Sequence, residues 1–196
     1  MYKVVGSARS RAFRVMWMLE ELGQPYEMIE GGPQSEEAKK YNPLGKIPAL
    51  IDGTEAITDS VAIMTYLADK HSGMTAPAGT IERARQDAMT LWLIDEMDAL
   101  LWSYAKHSKI FPEEHRITDI EHGLHFEFTR TQAQMETFLQ SDYLMGDTFT
   151  LPDILATHCL GWAHGVGFPP AGEKTKDYIK RCRGRAAFRA AGAKGA

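Results

Sequence analysis

The stretch Asn42-Pro43-Leu44-Gly45-Lys46-Ile47-Pro48-Ala49-Leu50, with Thr58-Asp59-Ser60 shortly after it, decides how this chain folds. Two prolines flank a turn, and Pro48 stands beside an apolar run, Ala49-Leu50-Ile51. Proline has no N–H to give to a sheet ladder. Pro48 therefore belongs at the first residue of a strand, at an edge or at a bulge. Such a position can leave the backbone of the preceding residue free to pair with another peptide.

Working outward, residues 47–51 read as a strand, Asp52-Gly53 as a tight hairpin turn and Glu55-Ala56-Ile57 as the return strand. Asp59-Ser60 then opens a helix whose apolar side carries Val61, Ile63, Met64 and Leu67. Upstream, residues 2–5 form a short strand of β-favouring residues, followed by the turn Gly6-Ser7-Ala8-Arg9-Ser10. A helix comes next, with Ala12, Val15, Met16, Leu19 and Leu22 on one face, stopped by Gly23 and Pro25. Residues 26–30 alternate as a half-buried strand does. A strand, a helix and a strand in one sheet make a right-handed parallel crossover. After the break at Gly31-Gly32-Pro33, Ser35 caps a short helix with acids in its first turn. The order β-α-β-α-β-β-α predicts a mixed α/β domain over residues 1–72.

That order resembles a thioredoxin-like domain. The sequence N-P-L-G-K-I-P-A-L followed by T-D-S closely resembles the glutathione S-transferase family, in its cytosolic, serine-type and bacterial-looking form. The resemblance implies a cis peptide bond before Pro48, which presents the N–H and C=O of Ile47 to the cysteinyl backbone of glutathione. Asp59 and Ser60 acquire a role beside it. A helix N-terminus offers free N–H groups and partial positive charge to the γ-glutamyl carboxylate. The Ser60 hydroxyl adds a hydrogen bond and the acid meets the ammonium. Taken without the proline motif, the same two residues read simply as a helix cap. Lys46 is a candidate for the glycyl carboxylate, and equally a solvated lysine.

The resemblance also implies a hydroxyl at the glutathione sulfur. Registering Arg11-Ala12-Phe13-Arg14-Val15 on the family's first helix puts Ser7 at the activating position, with Ser10 as the second candidate. Tyr2 lies one residue out of register with tyrosine-type members. The turn holds no cysteine, which argues against disulfide exchange. The energetic demand is modest. Lowering a thiol pKa by about two units takes roughly 2.7 kcal/mol. A hydroxyl donor to an anion supplies about 1.5–3 kcal/mol, and a helix N-terminus adds up to about 1–2.

Residues 70–79 have a linker's composition, and beyond them the strand signals stop. An all-α helical-bundle domain is predicted over 80–196. Its first helix runs from Thr80 to about His107. It carries two apolar stripes, Ala84-Ala88-Leu91-Trp102 and Leu93-Met97-Leu100-Tyr104. So broad an apolar surface suits a homodimer interface or a large bundle core. A second helix shows Ile117, Ile120, Leu124, Phe128, Thr131, Met135 and Phe138 at helical spacing. His122 and His125 on it lack further convergent ligands, and no metal site is expected. Thr150-Leu151-Pro152-Asp153 is a capping box, with Phe149 and Ile154 as its hydrophobic staple. Residues 146–154 resemble the family's buried local motif in the helical domain, and residues 178–188 its closing helix. An electrophile pocket is expected between the domains, near Tyr104, His107, Ile110 and Phe111. His107-Ser108-Lys109 falls where some bacterial relatives place a His-Lys pair near glutathione.

Composition bounds the function. Within 196 residues the net charge is only −4, which argues against bulk binding to nucleic acid or an anionic membrane. The charge is uneven: from Glu173 onward eight Lys or Arg face two acids. Cys159 and Cys182 form no C-x-x-C, and no disulfide framework is implied. The apolar start is too short for a signal peptide and no segment reaches membrane-spanning length. A cytoplasmic location follows as the expectation. The expected function is a dimeric glutathione transferase that consumes glutathione as co-substrate and attacks a small hydrophobic electrophile. The alternatives are a glutathione-dependent isomerase of the maleylacetoacetate type and a non-catalytic binding or scaffold protein on the same fold.

Overall fold

The structure is a computed structural model and describes residues 1–169 and 172–194. Its first elements are β1 (Tyr2–Gly6), α1 (Ala12–Glu21), β2 (Tyr26–Glu30), α2 (Glu36–Tyr41), β3 (Ala49–Asp52), β4 (Glu55–Thr58) and α3 (Ser60–Lys70). The four strands make one sheet in the order β2-β1-β3-β4. β1 and β2 are parallel, and the other two pairings are antiparallel. This is the predicted thioredoxin-like arrangement.

Local chemistry explains most of these boundaries. Ser35 caps α2 by accepting from the Ala38 N–H at 3.1 Å. Gly23, at φ +63°, follows α1 in a conformation that favours glycine. The hairpin turn puts Gly53 at φ +62°. The strand predicted from Ile47 begins instead at Ala49, because the proline at 48 has no N–H to pair.

The core of this part is formed by Val4, Val5 and Leu50 of the sheet with Val15, Met16 and Leu19 of α1 and Ile63, Met64 and Leu67 of α3. Trp17 and Met18 are buried as well, which a single apolar stripe did not foresee. For Trp17 the cause lies far along the chain. Helix α9 (Ala186–Ala193) packs on α1, and Phe188 meets the Trp17 ring edge-on at 4.9 Å and the Phe13 ring at 5.2 Å. The described chain divides into two compact units, one holding Met1–Arg83 with the closing segment from Cys182, the other Ala84–Arg181.

The second unit is helical. It contains α4 (Ile81–Leu93), which begins in the first unit, α5 (Ala99–Ala105), α6 (Ile120–Phe138), α7 (Leu151–Gly165) and most of α8 (Glu173–Arg183). The predicted helix 80–107 is not uniformly α. Wider π turns at Ile94–Asp98 and Lys106–Ile110 interrupt it. Its stripes part company too. Leu93 and Met97 are buried as expected, whereas Ala84, Ala88 and Leu91 are exposed, Leu91 by 63%. Besides Leu93, the buried positions of α4 are the polar Arg83, Gln86 and Thr90. Leu124, Phe128, Thr131 and Met135 line the inner face of α6 as predicted, but Ile117 lies before the helix and is exposed.

Asp153 anchors the start of α7. Its buried carboxylate accepts from the N–H of Leu144 (3.0 Å), the N–H of Thr150 (2.8 Å) and the hydroxyl of Tyr178 (2.9 Å). The capping box read from the sequence is present. Burial outweighs these bonds and pushes the Asp153 carboxyl above its usual range. No helix among the described residues is long and apolar enough to cross a membrane.

Candidate functional site

Strand register brings the predicted site residues of the first unit to one end of the sheet. β1 and β3 pair with Val5 opposite Ala49, so the next positions set Gly6 against Pro48 and Ser7 against Ile47. β3 and β4 pair with Ala49 opposite Thr58, so Pro48 comes opposite Asp59. Ser7, Ile47–Pro48 and Asp59–Ser60 thus leave the same edge of three neighbouring strands. A close approach supports this: a Cβ added at Gly6 would lie 3.6 Å from Cβ of Ile47. It would also lie 2.6 Å from Cβ of Ala12, so only glycine fits where the turn leaves β1.

The Ile47–Pro48 bond is cis, as the resemblance implied. Pro48 is buried and Ile47 half-buried. Among the described residues the backbone N–H and C=O of Ile47 make no hydrogen bond. The loop before them is held from both sides. Asn42 donates from Nδ2 to the Lys46 carbonyl (3.0 Å) and accepts from the Leu44 N–H (3.1 Å). The Gln34 N–H donates to the Gly45 carbonyl at 2.7 Å, and its side chain donates to the Leu44 carbonyl at 2.9 Å. Lys46 is exposed, with its backbone carbonyl fixed by Asn42.

At the next strand end, Asp59 caps α3. Its Oδ1 accepts from the N–H groups of Val61 (2.9 Å) and Ala62 (3.1 Å). The backbone of Asp59 sits at φ +69°, an arrangement costing a non-glycine residue about 1–3 kcal/mol and found most often at functional sites. The cap reading and the site reading are therefore compatible: one carboxylate oxygen caps the helix, and Oδ2 makes no hydrogen bond among the described residues. The Ser60 N–H is likewise without a hydrogen bond among them. Ser60 Oγ accepts from Nη1 of Arg14 at 3.2 Å.

The two serine candidates differ in what their hydroxyls do. Ser10 donates to the Ser7 carbonyl (2.7 Å) and accepts from the Ala12 N–H (3.1 Å), shaping the turn into α1. Ser7 is half-buried, and its hydroxyl makes no hydrogen bond among the described residues. Tyr2 is buried, with its hydroxyl 2.8 Å from Nε2 of His71.

His107 belongs to the second unit. Its Nδ1 accepts from the Ile117 N–H at 3.1 Å, and its ring meets Phe111 edge-on at 5.2 Å. Tyr104 and His125 both pack against Phe168. Among the described residues no group of three or more His, Cys, Asp and Glu side chains is placed to hold a metal ion. Sequence reasoning missed Arg14. The available signal was a charged side chain on α1 between the core positions Ala12 and Val15.

Residues 2–75 match the sequence profile described as the glutathione S-transferase N-terminal domain. A glutathione S-transferase zeta class protein of Euphorbia esula is 40% identical over 67 residues, covering 32% of this chain and 30% of that one. Glutathione S-transferase 3 of Schizosaccharomyces pombe is 28% identical over 155 residues, covering 76% and 60%. The chain thus spans between about a fifth and three fifths of the first curated relatives it matches (21%, 30% and 60%). Among solved structures, the theta class glutathione S-transferase of Xanthomonas axonopodis pv. citri, with glutathione bound, superposes with a TM-score of 0.78. That likeness, at 23% identity, covers 97% of this chain and 96% of the other and concerns the fold. Residues 2–75 thus resemble the N-terminal domain of glutathione S-transferases, and the chain over nearly its whole length shares the fold of a solved glutathione S-transferase structure.

Proposed function

We propose that this chain is a serine-type glutathione transferase that holds glutathione with three strand ends and directs its thiolate at a small hydrophobic electrophile. The observation that carries this is the shared register of Ser7, Ile47–Pro48 and Asp59–Ser60. A tripeptide laid across that edge pairs its cysteinyl backbone with Ile47, a miniature strand addition. Its γ-glutamyl carboxylate meets the N–H and hydroxyl of Ser60 at the N-terminus of α3. Its ammonium meets the open oxygen of Asp59, and Lys46 answers the glycyl carboxylate. The glutathione named in the Xanthomonas structure supports the choice of ligand.

The cysteinyl sulfur then falls beside Ser7. Its hydroxyl donates to the thiolate and favours the anion, and the N-terminus of α1 adds partial positive charge. The thiolate attacks an electrophilic carbon, a carbon–sulfur bond forms, and the leaving group departs with its electron pair or the carbon skeleton takes up a proton. Ser7 is preferred over Ser10 because the hydroxyl of Ser10 is engaged by the turn on both its donor and acceptor sides.

Residues 1–72 are assigned the tripeptide and residues 80–196 the choice of electrophile. In the second unit, with Nδ1 of His107 accepting from Ile117, Nε2 is the ring nitrogen left to meet a ligand. A homodimer suits the exposed apolar stripe of Ile81, Ala84, Ala88 and Leu91 on α4, and a cytoplasmic location suits the co-substrate.

Thermal unfolding with added glutathione tests the reading. At about a hundred times its Kd, the ligand adds about 2.7 kcal/mol of stability and raises Tm. Conjugation of an aromatic halide should consume the thiol. No protection at millimolar glutathione overturns the proposal. Protection without thiol consumption leaves a binding protein on the same fold.

A further inference from the structure

Arg14 is 1% exposed, at the inner face of α1, and its Nη1 reaches Ser60 Oγ at the start of α3. Ser60 is itself only 3% exposed. The chemistry of this pair fixes a direction. A guanidinium has donors and no acceptor, whereas a serine hydroxyl has one proton and two lone pairs. Ser60 must therefore accept from Arg14, and its own proton is left to be given to a different acceptor. The adjoining N–H groups of Val61 and Ala62 are taken by Asp59, while the Ser60 N–H is not. Ser60 thus offers two donors at one helix end, with a fixed positive charge behind them.

The surroundings strengthen that charge. Val15, Met16, Ile63 and Met64 are fully buried close to the pair in sequence, and low local polarity makes electrostatic interactions longer-ranged than in water. Burying a guanidinium costs free energy that an apolar side chain of similar volume would not.

We propose that Arg14 is a positioning residue for anion recognition. It holds the Ser60 hydroxyl as a donor toward the γ-glutamyl α-carboxylate of glutathione and lends that carboxylate a buried positive charge. The inference rests on the glutathione reading and deepens it: it assigns to α1 a part of the site that makes no contact with the ligand.

The test compares glutathione with γ-aminobutyryl-cysteinyl-glycine, which keeps the amine and lacks the α-carboxylate. Calorimetric titration of the full chain measures both ligands on wild type, Arg14→Met, Arg14→Lys, Ser60→Ala and the Arg14→Met/Ser60→Ala double variant. Arg14→Met should weaken glutathione about tenfold and the analogue less than about twofold. Once Ser60 is alanine, the further loss from Arg14→Met should be clearly smaller. Arg14→Lys keeps charge and a donor and should recover part of the loss, for glutathione only. If Arg14→Met does not fold, Arg14→Lys and Ser60→Ala decide by the same ligand difference. Equal losses on the two ligands, full additivity or wild-type affinity in the variants overturn the inference while leaving the glutathione reading in place. A wild-type protein that binds neither ligand overturns both.

Discussion

Glu21 and Arg185 meet in a two-point ion pair, with Nε on Oε1 at 2.6 Å and Nη2 on Oε2 at 2.8 Å, across 164 residues of sequence. Oε1 also accepts from the Trp17 indole N–H at 2.9 Å. The Glu21 side chain is largely buried, so its oxygens rely on these donors for hydrogen bonds. Arg185→Ala should destabilise the first unit by about 1–3 kcal/mol, much of it from the carboxylate left without its guanidinium. Lysine at 185 should recover only part, because it cannot reproduce the fork. Denaturant titration of the three proteins measures this.

Asp153 gives a second, independent test. Replacing it with alanine strands the donors of Leu144, Thr150 and Tyr178 inside the protein. A loss of about 3–5 kcal/mol is expected in the helical unit, measured by chemical denaturation, while Tyr178→Phe should cost about 1–2. Equal costs for the two variants would contradict the view of Asp153 as the hub.

Asp52 sets an acid limit on stability. The Lys70 ammonium and the Tyr66 hydroxyl hold its carboxyl below the usual carboxylate range. Its contribution is present above the unfolded value, about 3.9, and is lost as pH falls through the lower folded value. Asp52→Asn should therefore flatten the fall of Tm below about pH 4. Asp153 has the opposite sign: with its carboxyl raised in the fold, its titration favours the folded state most at low pH.

Ser7→Ala should lower kcat/KM about tenfold to a hundredfold, with the bound thiol titrating about one to two units higher by ultraviolet absorbance. Ser10→Ala should cost about 0.5–2 kcal/mol of stability through the turn and leave the bound thiol unchanged. The reverse pattern would transfer the role to Ser10.

Leu91→Arg should turn a dimer into a monomer by light scattering at unchanged helix content, since Leu91 lies on the exposed apolar stripe of α4. A monomeric wild type would remove the dimer from the proposal.

What could be read in the sequence was what adjacent residues dictate. The parallel crossover of β1, α1 and β2, the hairpin at Asp52-Gly53, the cap at Ser35 and the box at Thr150 each carry their own signal within a few residues. The strand ends lie within one or two residues of their expected places, β3 starting at Ala49 rather than Ile47, whereas the choice of Ser7, Pro48 and Asp59 as site residues came from the family resemblance. The exposed face of α4 did not, because periodicity counts apolar residues, whereas here Arg83 goes inside on a two-point bond to Asp69. The π turns at 94 and 106 have no compositional mark. Trp17 and Arg14 were misjudged for one reason: the elements that cover them, α9 and the start of α3, arrive from elsewhere in the chain.

The pairing of Asp52 with Glu55 across a two-residue turn fixes a count as well as a shape. A strand shifted by one residue turns every side chain to the opposite face. A single deletion or insertion at Gly53-Thr54 would carry Asp59 away from Pro48 and leave every amino acid of the clamp in place. Position 47, by contrast, offers its main chain, which no substitution but proline removes. This edge of the sheet should thus withstand changes of letter far better than changes of length.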